Sequence, residues 1–186
     1  RIEVELPTAR LVDPPTPRPV AGAVREMAVS PDGREVAFVA RGEIFVTDAE
    51  FSDTVRITDT PEQERSVGFA PDGRALIYAA ERGGRWALYE TALVDDDEPR
   101  FSAATAWKER LLYAVEGGDA FQPLVSPDGE EVAFLENRDA IRVVGRDGED
   151  ARTVFAADRN YSYADGDIHF AWSPDARWIA ASFVAR

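Results

Sequence analysis

One histidine stands in the sequence, His169, and it limits the chemistry the chain can attempt. A Ser-His-Asp triad or a histidine-based metal site would have to use it. It follows Asp167 by two residues and opens the apolar run Phe170-Ala171-Trp172, a loop-to-strand position near the mouth of a fold. No Gly-x-Ser-x-Gly elbow stands elsewhere to supply a nucleophile, so a structural role is the plainer expectation. Asp165-Gly166-Asp167, with Asp158 and Asn160 nearby, offers oxygen ligands of the kind calcium takes. The ligand spacing of a calcium loop is absent, so a solvated turn is expected there. The alternative is that these carboxylates line a channel and meet the amino end of a peptide. The chain has no cysteine, which removes disulfides, thiolate zinc sites and thiol nucleophiles. The residues therefore predict no catalytic group, no metal site and no cofactor.

Arginines are the other candidates. Arg25, Arg41, Arg65 and Arg82 can form ion pairs between packed elements or line a channel, where the guanidinium fork suits carboxylates. They stand out against a chain with 21 basic and 35 acidic side chains and a net charge of −14. Lys108 is the only lysine. An acidic surface repels phosphate backbones and anionic lipid, which excludes nucleic acid as an expected partner. No apolar run is long enough to cross a membrane as a helix. A GC-rich genome and a salt-loving, halophilic host both account for arginine in place of lysine. The run Asp95 to Glu98 reads as a solvated loop, with a docking surface for a basic partner as its functional alternative.

What positions these residues is a repeat. Ser30-Pro31-Asp32-Gly33 returns as Ala70-Pro71-Asp72-Gly73, Ser126-Pro127-Asp128-Gly129 and Ser173-Pro174-Asp175-Ala176. Proline pre-sets φ for a tight turn, Asp bonds its own backbone, and Gly accepts the positive φ that closes it. Ala176 replaces that glycine, so a different turn is expected in the fourth unit. Each signature follows a short apolar segment and precedes a β-rich run such as Val36–Val39, Leu76–Tyr78, Val132–Leu135 or Trp178–Ala180. Further runs include Ile44–Val46, Leu88–Tyr89 and Ile141–Val144, with Val55–Thr58, Leu111–Val115 and Arg152–Phe155 as outer strands. Four strands per unit of about 40–45 residues is the pattern of propeller blades. The fold class is all-β: β-propeller blades of four antiparallel strands in an incomplete ring of about three and a half blades. Blades are expected near 23–62, 63–118, 119–165 and 166–186, the last truncated. Residues 1–22 read as a strand plus a proline-rich junction from a preceding domain. The chain starts on Arg1 with neither an initiator methionine nor a signal peptide, and it stops after the second strand of a unit. Both features lead us to expect a longer parent. The enlarged second interval, from Asp95 through Phe101 to Glu109, is predicted to be a long inter-strand loop. Trp86, Trp107, Trp172 and Trp178 are predicted packing aromatics, with Trp107 the most exposed.

From about Val24 to Arg186 these units resemble the PD40-type (WD40-like) repeats of TolB-like propellers. Arg25 to Gly33 running into Ala37 to Thr47, then Thr58 to Arg65 and Asn160 to Asp167, are similar to the propeller region of tricorn-like (S41-type) serine proteases. The resemblance implies a non-catalytic segment serving substrate access and domain assembly, with the catalytic serine and histidine in later domains. Its partners would be the remaining blades and catalytic domain of the same parent chain, and peptides, with room for a homo-oligomer. Two alternatives stay open: a TolB-like interaction module of the cell envelope, and the propeller of an oligopeptidase-type serine hydrolase. Relatives imply a periplasmic or secreted location, with the cytoplasm as the alternative.

Overall fold

A computed structural model describes residues 22–51, 53–159 and 168–182. Its strands run in the order of the repeats. β1 (Val24–Val29), β2 (Glu35–Ala40), β3 (Glu43–Asp48) and β4 (Thr54–Arg56) form one antiparallel meander. β5 (Glu64–Phe69), β6 (Ala75–Arg82), β7 (Arg85–Leu93) and β8 (Trp107–Tyr113) form the second. β9 (Ala120–Val125), β10 (Glu131–Glu136), β11 (Ala140–Gly145) and β12 (Arg152–Phe155) form the third. β13 (His169–Trp172) pairs with β14 (Ile179–Ser182) as a two-stranded start of a fourth. The described residues are thus three complete four-stranded blades and half of another.

The signature turns show why hairpins form where they do. Ser30 Oγ donates to Asp32 Oδ1 at 2.7 Å, and that oxygen accepts the Arg34 N–H at 3.1 Å. Ser30 Oγ in turn accepts the Glu35 N–H at 2.9 Å, which starts β2. The same three bonds recur around Ser126 and Ser173. Gly33, Gly73 and Gly129 close the turns at φ 73, 71 and 80°, and Ala176 adopts the same left-handed conformation at 56°. The fourth turn is therefore not of a different type: Ala176 N–H bonds Ser173 O at 2.9 Å, as Gly33 N–H bonds Ser30 O. The repeated hydrogen bonds override the local cost of a Cβ at positive φ. Ala176→Gly is expected to stabilise the fold by roughly 0.5–1 kcal/mol, once relief of strain is offset by the freer unfolded chain. A urea unfolding midpoint measures it, and a lower midpoint would contradict this reading of the turn.

Ala70 is the other departure from the pattern. It leaves Asp72 without the hydroxyl that its three counterparts receive, although the Asp72 carboxylate still accepts the Arg74 N–H at 2.8 Å. Ala70→Ser restores that donor and is expected to add about 1 kcal/mol, read from the same midpoint. An unchanged or lowered midpoint would show that the buried Ala70 site has no room for the hydroxyl.

Side-chain alternation builds the core between blades. On β6, Leu76, Tyr78 and Ala80 pack toward Ala37, Val39, Ile44 and Val46 of the first blade. Ala75 and Ile77 point the other way, toward Ala120, Val132, Phe134 and Val144 of the third. A strand buried on both faces carries an unbroken apolar run, as Ala75 to Ala80 does. The turns themselves stack: a Cβ placed on Gly73 would lie 3.7 Å from the Pro31 ring, and one on Gly129 3.7 Å from Pro71.

The enlarged interval of the second blade departs from the expected loop. Phe101–Ala103 forms a 3-10 turn, and β8 already begins at Trp107. Phe101 is fully buried and meets Phe69 edge-on at 6.4 Å between ring centroids. The backbone N–H groups of Phe101 and Ser102 donate to the buried Glu35 carboxylate of the first blade, at 3.3 and 2.6 Å. Arg100 pairs with Asp48 of that blade at 3.1 Å. Trp107 Nε1–H donates to Ile57 O at 3.0 Å, so Trp107 is half-buried, whereas Trp178 is 69% exposed. The insertion is a clasp from the second blade onto the first. Even the acidic run Asp95 to Glu98 is tied in, because Arg74 donates to the carbonyls of Asp95 and Glu98 at 2.7 and 2.9 Å.

Candidate functional site

The innermost strands β1, β5 and β9 lie side by side. Counting back four residues from Ser30, Ala70, Ser126 and Ser173 gives Glu26, Ser66, Gln122 and His169. All four line one open cavity of about 500 Å³, together with Met27 and Leu124. Each unit thus places one polar side chain at the same sequence offset from its turn: Glu26 and His169 on paired strand positions, Ser66 and Gln122 within slips of the strand pairing.

Backbone irregularity aims these groups. Ser66 and Gln122 have φ 57 and 49°, left-handed values for residues that carry a Cβ. The pairing register of β5 with β6 slips between Arg65 and Gly68, and that of β9 with β10 between Ala133 and Leu135. Such bulges re-aim a side chain and cost of order 1–3 kcal/mol where they force an unusual φ. The Glu26 carboxylate supports the first bulge: it accepts the Ser66 N–H in a short bond and the Arg65 Nε–H at 3.3 Å. Gln122 keeps a buried Oε1 with no hydrogen-bond partner among the described residues.

His169 sits in this cavity, on the exposed face of β13. Ser66 and Glu26 share the cavity, but among the described residues His169 makes no hydrogen bond to either, and Glu26 is committed to β5. Among the described residues no nucleophile and base are joined there. Asp165, Asp167 and Asn160 lie outside the described residues.

The structure brings Arg25, Arg41 and Arg65 together in a second depression of about 360 Å³. It adjoins the first through the shared Glu26. Arg41 occupies the tight turn between β2 and β3, at φ 58°, followed by Gly42 at 89°. The Gly42 carbonyl accepts the Glu64 N–H at 2.8 Å, which fixes that turn to the start of β5. Arg82 is elsewhere: it pairs with the buried Glu64 at 2.8 Å and stands 5.0 Å over the Tyr89 ring.

The signature aspartates serve the turns. The serine hydroxyl, then the backbone N–H, holds Asp32, Asp128 and Asp175 below the ordinary aspartate value of 3.8. Asp72 faces Arg146 of the third blade at 3.5 Å, and Arg146 also meets Glu90 at 3.3 Å. Carboxylates and arginines therefore tie blade to blade. Reading the sequence singled out His169 and the arginines and passed over Glu26, Ser66 and Gln122. Aligning the repeats four residues upstream of each turn would have found them.

No protein-family profile matches the chain. Solved structures do. The tricorn protease superposes with a TM-score of 0.65 at 18% identity, over 92% of this chain and 15% of that one. A putative TolB from Agrobacterium tumefaciens gives 0.59 at 17% identity, over 71% of this chain and 49% of that one. TolB from Acinetobacter baumannii gives 0.55 at 17% identity, over 83% of this chain and 42% of that one. The chain thus spans half or less of the length of each. The likeness is one of fold: this chain carries β-propeller blades similar to those of these structures.

Proposed function

We propose that the chain is a non-catalytic propeller segment of a tricorn-like serine peptidase, serving peptide access and domain assembly. The observation that supports it is the wall that the inner strands form around the open cavity (the axial wall), where each unit places one polar side chain at the same offset from its turn and, among the described residues, no nucleophile is joined to a base. Such a wall can hold an extended peptide weakly and let it pass. In this reading residues 1–22 connect to a preceding domain, and further blades and a peptidase domain belong to the same parent. A periplasmic or secreted location is part of the same proposal. The test is to incubate the purified 186-residue chain and its full-length parent separately with a peptide panel and read cleavage by mass spectrometry. Cleavage by the parent alone is expected. Cleavage by the chain alone, or a parent without a peptidase sequence, would overturn it, the latter in favour of a TolB-like interaction module.

A further inference from the structure

We infer that the Arg25–Arg41–Arg65 depression is a carboxylate-binding mouth that selects acidic peptide segments at the edge of the axial wall. The inference rests on the peptide-access reading and names the ligand chemistry of that site. Three arginines and two carboxylates, Glu26 and Glu64, line it. Both carboxylates are committed inside the protein. Glu26 holds Arg65 and the Ser66 N–H. Glu64 is fully buried and holds Arg82 and the Thr60 hydroxyl, at 2.8 and 2.9 Å. Arg25 and Arg41 are exposed and have no ion-pair partner among the described residues. In a chain with 35 acidic side chains against 21 basic ones, two exposed arginines that line one depression without an ion pair among the described residues make it a cationic spot on an acidic protein. Arg41 is moreover kept in a left-handed turn where Asn or Gly would fit with less strain. The turn is anchored through Gly42 to β5, so the guanidinium is presented from a fixed backbone. Planar guanidinium donors in that setting take a carboxylate better than any other peptide group.

The test uses fluorescein-labelled, C-terminally amidated decapeptides of alternating Glu and Ala, with Gln–Ala and Lys–Ala counterparts. Binding to the 186-residue chain is read by anisotropy at low and high salt. The Glu peptide should bind most tightly, and its advantage should shrink in high salt. The double variant Arg25→Gln/Arg41→Asn removes both charges while Asn keeps the left-handed turn. It should lower affinity for the Glu peptide about fivefold and leave the Gln peptide unchanged. A free-acid form of the Gln peptide separates a terminal carboxylate from a side-chain one; recovery of the lost affinity there would assign the same arginines to a chain terminus. Equal binding of Glu and Gln peptides, or a Glu advantage that survives the double variant, would overturn the inference and leave peptide access standing. Failure of every peptide to bind would overturn both.

Discussion

Phe101→Ala is expected to destabilise the chain by about 3–5 kcal/mol, the cost of emptying a fully buried aromatic site. Phe101 is 0% exposed and reaches from the insertion of the second blade into the core shared with the first, among Ile57, Val67 and Leu76. Its removal also loosens the two N–H donors that satisfy the buried Glu35. The contact is inter-blade, so the loss should spread over both blades rather than melt a loop. Phe101→Leu, closer in volume, should cost under about 1.5 kcal/mol. Urea unfolding followed by tryptophan fluorescence separates the two variants. A loss below about 1 kcal/mol for the alanine variant would mean that the clasp contributes little and that this segment behaves as the solvated loop its acidic composition suggests.

Arg82→Gln should have the next largest effect, and its pH dependence identifies the cause. The Glu64 side chain is fully buried, and burial raises its pKa above the ordinary 4.5 while the Arg82 hydrogen bond pulls it down. Removing the guanidinium leaves a buried carboxylate without its counter-charge. The expected loss near pH 8 is about 2–3 kcal/mol, below the figure for a dry pair because Arg82 is 22% exposed. A carboxyl whose folded pKa is raised binds more protons folded than unfolded between 4.5 and that raised value. Stability contributed by its protonation is therefore gained as pH falls through the folded pKa and is fully present below 4.5. The penalty of Arg82→Gln should accordingly shrink as pH falls from 8 toward 5. A penalty constant over that range would show that Arg82 acts through packing on Tyr89 rather than through charge.

The blades were legible because their turns are local. Pro, Asp and Gly act on adjacent residues, so four signatures mark four hairpins without any tertiary information, and strand runs on either side follow from alternation. Ala176 misled because sequence shows the missing glycine but not the serine hydroxyl bonds that hold the turn regardless. The clasp was hidden for a related reason. Asp95 to Glu98 is acidic and the Ser102-Ala103-Ala104 stretch is small and featureless, and Phe101 and Trp107 are placed by packing against the neighbouring blade and against β5 and β6 of their own. The axial wall was half visible: His169 stands out as a rare residue, whereas Glu26, Ser66 and Gln122 are common types that gain meaning from a shared offset from the turn and a shared cavity. The meeting of Arg25, Arg41 and Arg65 needs the fold, because Arg41 comes from one hairpin and Arg65 from the next blade.

The proposed function requires that the inner strands form the binding face of these blades. Hydrogen–deuterium exchange of the chain with and without a bound peptide tests it most directly. Protection is expected in β1, β5, β9 and β13, with the strained Ser66 and Gln122 segments responding most and the outer strands β4, β8 and β12 unchanged. Protection confined to those outer strands, with the inner strands unaffected, would contradict the proposed function.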